Sequence, residues 1–166
     1  MLTIAIYAAM VAIAALAAWS APSPAIRWLA ALLAADFTAS NVALWVVGYA
    51  HEPLLVPSID AVVAIGVAIA GLKYRSLNIA GSVFMLFGAL GVVHVMAIGA
   101  GLSQSYTYYA LKNAIFLAQV SIIGGAGVAA YFRSRTDRRD TRPGADPVGG
   151  LAMAARPSGQ GWRAIR

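Results

Sequence analysis

The sequence predicts an all-α polytopic integral membrane protein, an up-and-down bundle of five transmembrane helices with a disordered C-terminal tail. Of the 166 residues, 61% are hydrophobic and only 11% are charged, whereas soluble domains carry about 25% charged residues. The apolar residues form five runs, each near the roughly 20 residues that cross the hydrocarbon core of a bilayer. These runs are continuously apolar, unlike the alternating strands of a membrane β-barrel.

Short polar or helix-breaking segments separate the five predicted spans. The first run ends at Trp19, and Ser23 with Pro24 then supplies an N-cap and a favourable first residue for the second helix. Pro53 marks the next break, because the residue before a proline avoids helical geometry. Ser76 is the predicted N-cap of the fourth helix. The predicted spans are 1–19, 25–49, 54–72, 77–100 and 108–131, within a bundle of residues 1–132.

The first run has a second interpretation, a cleaved signal peptide, which would leave four spans. Small residues within positions 15–25 suit cleavage. The first residues, MLTIAIY, carry no basic side chain, although signal peptides begin with a positively charged region. We therefore predict that the first helix is retained.

Most of the net charge lies beyond the last span, in residues 133–166. This segment holds eight Arg and three Asp, or +5 of the total +6. It is also rich in Gly and Pro, a composition that predicts a disordered tail. Basic side chains beside a membrane attract anionic lipid, and the residues predicted to contact lipid head groups are Arg133, Arg135, Arg138, Arg139 and Arg142. Because the basic charge belongs to a tail, no nucleic-acid partner is predicted.

The basic residues near the span ends predict the orientation. With five spans, Arg27, Lys73 and Arg75 share one side with the tail. Lys and Arg accumulate on the cytoplasmic side of membrane proteins. The sequence therefore predicts a multi-pass protein of the inner (cell) membrane with its N-terminus outside and its C-terminus in the cytoplasm. Lys112 is the one basic residue of the spans that is predicted to lie toward the outer side.

Polar residues inside the spans are the candidate functional residues, because buried ionisable groups in membranes usually face the bundle interior. Asp36 and Gln119 lie near the middle of the second and fifth spans, where they could meet. At a rise of about 1.5 Å per residue, the others lie roughly 5–12 Å toward the outer side. We predict a polar cavity in the outer half of the bundle, with Asp60 paired to Lys112. Its predicted residues are Asp36, Asn41, Asp60, His94, Lys112 and Gln119.

Several of these residues also have purely structural interpretations. If Pro57 opened the third helix, Asp60 would lie in its first turn and offset the positive helix end. Lys112 could extend to the head groups, and His94 could be a hydrogen-bonded structural residue. Asn41 and Gln119 could join helices by interhelical hydrogen bonds. Asp36 is too deep in its span for a short carboxylate to reach water.

Two groups of glycines predict close helix approach, which small residues permit in membranes. Gly81, Gly88 and Gly91 share one face of the fourth helix. On the fifth helix, the run 124–127 contains a possible counterpart of three glycines, Gly124, Gly125 and Gly127. These faces predict homo-oligomers or contacts with other membrane subunits, in addition to the lipid bilayer.

The motifs of catalysis are missing from the sequence. There is no cysteine, no phosphate-binding loop and no HExxH or GxSxG motif. We therefore predict a non-enzymatic protein without a cofactor or metal.

The predicted function is permeation or binding of an ion, a proton or a small solute through the polar cavity. A structural or assembly subunit of a larger membrane complex is the alternative, and a phage holin-like permeabilising protein is a further one. The short loops, alanine-rich helices and basic tail are typical of small bacterial or phage membrane proteins.

Overall fold

The computed structural model describes residues 2–48, 51–102 and 105–140, where helices joined by short turns account for the structure and no strand occurs. For residues 2, 3 and 137–140 it describes the backbone alone. The chain divides into two compact units, residues 1–134 and 135–166. The helices are α1 (Leu2–Trp19), α2 (Pro24–Val47), α3 (Glu52–Lys73), α4 (Leu77–Gly99) and α5 (Tyr106–Asp140).

Four of these helices are long and apolar enough to span a membrane. They are α2, α3, α4 and the part of α5 up to Thr136, whereas the stretch Ile4–Trp19 of α1 is apolar but shorter. Between 17% and 33% of the residues in each spanning window are buried, so most of the apolar side chains face outward. A soluble protein buries such residues. The outward apolar surface is therefore the one expected of helices in contact with lipid.

Some helix boundaries lie where the local sequence signals predict them, and others do not. Ser23 and Ser76 stand at the predicted N-cap positions, although neither hydroxyl makes a capping hydrogen bond. The third helix begins at Glu52, two residues before the predicted start, because proline is tolerated in a first helical turn. Gly48 follows α2 with a φ of +90°, a conformation that favours glycine.

Two predictions about helix extent are wrong. Pro57 lies inside α3 rather than at its start, so Asp60 is in the third turn and is not a residue that offsets the helix end. The fifth helix continues to Asp140, and residues 133–140, which were predicted to be disordered, are helical. The remainder of the predicted tail, 141–166, lies outside the described residues.

Consecutive helices lie side by side, α1 with α2, α2 with α3, and α3 with α4. The short connections between them make neighbouring helices run in opposite directions. Helix α5 contacts both ends of this series. Phe116 packs against Tyr7 of α1 and Phe37 of α2, and polar contacts join α5 to α3 and α4.

The inward face of α3 shows how the bundle acquires a polar region. Its buried residues recur every three or four positions, the spacing of one helix face. Val63 and Val67 contribute to the apolar core. Glu52 and Asp60 continue the same inward face toward the start of the helix, and both are buried. The interior is therefore apolar where α3 ends and polar where it begins.

Two of the three α5 glycines, Gly124 and Gly127, lie against α1, whereas a Cβ atom at Gly125 would meet nothing within 4 Å. A Cβ atom at Gly127 would lie 2.8 Å from backbone atoms of Ala17 and Ala18, and one at Gly124 would lie 3.4 Å from the Cβ of Ala14. Cβ atoms at Gly81, Gly88 and Gly91 would meet nothing within 4 Å. The α4 and α5 glycines therefore do not pack against each other within one chain, and contacts of these faces with another subunit remain a prediction.

Candidate functional site

A cavity of about 260 Å³ lies at the end of the bundle where α2 and α4 end and α3 and α5 begin. We call it the polar cavity. All five helices contribute to its wall. It is lined by Ile4, Tyr7, Asp36, Phe37, Ser40, Asn41, Leu44, Glu52, Val56, Asp60, Leu90, Tyr109, Lys112, Asn113 and Phe116. Three carboxyl groups and one ammonium group therefore share this small space.

Asp60 is held by a chain of hydrogen bonds that runs away from the cavity. Its Oδ2 lies 2.8 Å from Nε2 of His94, and Nδ1 of His94 lies 2.9 Å from the hydroxyl of Tyr108. An ionised carboxylate can only accept, so Nε2 donates to it. The phenol can donate to a neutral ring or accept from a protonated one. Tyr108 thus allows His94 to keep both hydrogen bonds in either charge state.

Glu52 forms a second cluster with two residues of α5. Its Oε1 accepts from the Nζ of Lys112 at 2.9 Å, and its Oε2 accepts from the hydroxyl of Tyr109 at 2.8 Å. The side chain of Glu52 is 3% exposed and that of Lys112 is 21% exposed. Both carboxylate oxygens are satisfied, as a buried charge requires. The positive charge of Lys112 is neutralised inside the bundle.

Asp36 is the carboxyl group with an unsatisfied oxygen. The residue is 5% exposed, and its Oδ1 has no hydrogen-bond partner among the described residues. It lines the cavity together with Asp60. Two carboxyl groups that share a space of low dielectric constant attract a proton or another positive charge.

The structure brings most of the predicted site residues together. Asp36, Asn41, Asp60 and Lys112 line the polar cavity, and His94 lies one hydrogen bond behind Asp60. Asn41 donates to the Phe37 carbonyl of its own helix. It therefore does not form the interhelical bond that its structural interpretation predicted.

Gln119 lies apart from this group. It does not line the polar cavity, although it is fully buried. Neither polar atom of its side-chain amide has a hydrogen-bond partner in the described part of the chain. Its predicted meeting with Asp36 remains a prediction.

The predicted pairing of Asp60 with Lys112 is wrong. Lys112 is paired with Glu52, and Asp60 is paired with His94. Glu52 was assigned to a loop, because Pro53 was taken to end a helix and not to begin one. Glu52, Val56 and Asp60 are spaced four residues apart and so share one face of α3. This spacing could have identified Glu52 as an inward-facing residue.

Tyr108 and Tyr109 were also missed as site residues. Their position near the end of a span is typical of aromatic residues at a membrane interface, so the sequence favours an interfacial role for them. The hydroxyl groups of both instead bond to buried polar side chains. Nothing in the sequence around position 108 distinguishes these two roles.

The arginines predicted to contact lipid lie on or beyond the last turns of α5. Arg133 and Arg135 are exposed helical residues, and the Nε of Arg133 donates to the Ala129 carbonyl at 3.3 Å. Arg138 and Arg139 belong to the helix, but their side chains lie outside the described residues, as does all of Arg142. Contact with lipid head groups remains a prediction.

Replacing Tyr108 by phenylalanine is expected to lower the free energy of unfolding by about 1–3 kcal/mol. The substitution removes the only hydroxyl bonded to Nδ1 of buried His94 in the described structure, and a buried polar atom left without a partner costs about that much. Thermal unfolding in detergent micelles measures the loss. Tyr106→Phe is the matched control, because Tyr106 is 88% exposed. Equal stability of the two variants would contradict the role assigned to Tyr108.

No family model matches the chain, and neither a curated protein nor a solved structure is significantly similar to it.

Proposed function

We propose that the protein is a non-enzymatic, multi-pass membrane protein whose polar cavity binds a proton, a cation or a small polar solute and lets it permeate. The observation that carries this proposal is Asp36. A carboxyl group that is buried deep in a span and lacks a partner for one oxygen is costly. Binding a positively charged or hydrogen-bonding species would offset that cost.

The charges around the cavity favour a positive occupant. Glu52 and Lys112 neutralise each other at 2.9 Å. The remaining ionisable groups of the wall are Asp36 and Asp60, and a neutral His94 would leave both carboxyl groups without a compensating charge. In a medium of low dielectric constant this arrangement attracts cations and repels anions.

The charge distribution supports an orientation with the cavity on the outer side of the inner membrane. Arg27, Lys73 and Arg75 lie at the opposite end of the helices, where the positive-inside rule predicts the cytoplasm. Lys112, the exception in the sequence, is paired with Glu52 and adds no net positive charge to the outer side. The N-terminus would then be outside.

Flux into proteoliposomes tests the permeation proposal. The wild-type protein should conduct protons or small cations above the leak of empty liposomes, and Asp36→Asn should reduce this flux at least tenfold. Ser82→Ala is the control, because the Ser82 hydroxyl is exposed and bonds only a carbonyl of its own helix. Equal flux through the wild-type and Asp36→Asn proteins, or no flux above empty liposomes, would contradict the proposal.

An assembly subunit is the second candidate function, and the glycine face of α4 favours it. Gly88 and Gly91 are exposed, and a Cβ atom added at either position would meet nothing within 4 Å among the described residues. Such a face could receive a second copy or another membrane helix. Purification in a mild detergent tests the idea. A stoichiometric partner or a defined oligomer that Gly88→Leu dissociates is expected, whereas a monodisperse monomer would contradict it.

A further inference from the structure

We infer that the polar cavity takes a small organic cation, with Asp36 as its counter-ion and aromatic rings as its wall. This inference rests on the proposed function and names its ligand class. The ligand would be a substituted ammonium ion with a short apolar portion, and not a bare metal ion.

The counter-ion role of Asp36 follows from the distribution of hydrogen bonds in the cavity. Glu52 uses both of its oxygens inside the protein, and one oxygen of Asp60 accepts from His94. Asp36 is 5% exposed and keeps Oδ1 unbonded among the described residues. Asp36 lines the cavity, and none of the ion pairs of the described residues includes it. A bound cation would therefore lie against a carboxyl group that has no cationic partner.

The rings beside Asp36 provide the apolar portion of the site. Phe37 stacks on Phe116 with ring centroids 5.7 Å apart, and Tyr7 meets Phe116 edge-on at 5.9 Å. All three rings line the cavity with Asp36. The faces of aromatic rings attract ammonium groups, at about 0.5–2 kcal/mol for each contact. Leu44 extends the same wall and would contact the alkyl groups of the ligand.

The size and chemistry of the cavity disfavour a bare inorganic cation. A volume of about 260 Å³ corresponds to roughly nine water molecules at about 30 Å³ each. This exceeds what a single dehydrated metal ion fills. Among the described residues, no group of three or more His, Asp or Glu side chains is arranged to hold a metal ion. An organic cation would use both the carboxylate and the rings.

Equilibrium binding of tetraethylammonium chloride to the purified full-length protein tests this inference. We expect saturable binding by calorimetry in detergent at constant ionic strength. Asp36→Asn should weaken the affinity at least tenfold, and Phe37→Leu should weaken it about two- to thirtyfold. Asp36→Glu should restore most of the affinity lost in Asp36→Asn, and Ser82→Ala should match the wild type. Excess potassium chloride should not displace the ligand.

Three results would overturn the inference. They are the absence of saturable binding to a monodisperse wild-type protein, equal affinity in Asp36→Asn, and displacement by potassium at equal concentration. The flux experiment separates this failure from that of the proposed function. If proton or potassium flux depends on Asp36 while tetraethylammonium does not bind, the proposed function stands and the organic ligand is wrong. If flux does not depend on Asp36 and tetraethylammonium does not bind, both the proposed function and the organic ligand are wrong.

Discussion

Replacing Gly127 by leucine is expected to separate α1 from α5 and to lower the free energy of unfolding by about 3 kcal/mol or more. A Cβ atom at this position would lie 2.8 Å from the carbonyl carbon and oxygen of Ala17 and from the nitrogen of Ala18. These are backbone atoms of a helix, which cannot rotate away as a side chain can. Overpacking typically costs about 1–3 kcal/mol where neighbours can adjust, so a rigid neighbour should raise the cost.

Denaturant titration in detergent micelles measures this effect, and Gly125→Leu is the matched control. Gly125 is exposed on the same helix, and a Cβ atom there would meet nothing within 4 Å. Leucine is also a better helix former than glycine, so this variant should be at least as stable as the wild type. A Gly127→Leu protein as stable as Gly125→Leu would contradict the close approach of α1 and α5.

Replacing Lys112 by methionine is expected to be the most damaging change to the polar residues of the cavity. It leaves Glu52, whose side chain is 3% exposed, without its cationic partner. Breaking a buried ion pair by removing one partner costs about 3–5 kcal/mol. Tyr109 would still donate to Glu52, but a hydroxyl group does not neutralise the charge. Thermal and denaturant unfolding in micelles measure the loss.

The reciprocal variant, Glu52→Gln, should cost less. Glutamine can still accept from Tyr109, and the ammonium group of Lys112, with its side chain 21% exposed, can extend toward the head groups. The double variant Glu52→Gln/Lys112→Met should recover most of the stability lost in Lys112→Met alone, because it leaves no buried charge unpaired. Additive losses in the double variant would argue against an ion pair, because two coupled residues give non-additive effects.

The positions of the cavity residues along their helices were largely predictable from the sequence. Asp36, Asp60 and His94 are buried residues of α2, α3 and α4, and they are polar exceptions within continuously apolar runs. Counting residues along antiparallel spans also predicts that these side chains lie toward the same end of the bundle. Membrane insertion sets a high cost on exposing these groups, so their inward orientation was the expected one.

The partners of these residues were not predictable. When α3 and α5 are aligned at their first residues, Lys112 lies nearer to the level of Asp60 than to that of Glu52, and a helix turns about 100° per residue. A small rotation or axial shift therefore changes which carboxylate an ammonium group reaches. The tyrosines of α5 present the same difficulty. A tyrosine near the end of a span gives the same sequence signal whether its hydroxyl contacts water or, as for Tyr109, bonds to Glu52.

The sequence by itself determined five apolar helices, the end of the bundle where its carboxylates gather, and the concentration of basic residues beyond the last span. These features depend on composition and on position along one chain. Only the tertiary structure decided that Glu52 neutralises Lys112, that His94 holds Asp60, and that Asp36 keeps a free oxygen beside aromatic rings. Hydrogen bonds act over about 3 Å, so they depend on the rotation and offset of each helix relative to its neighbours.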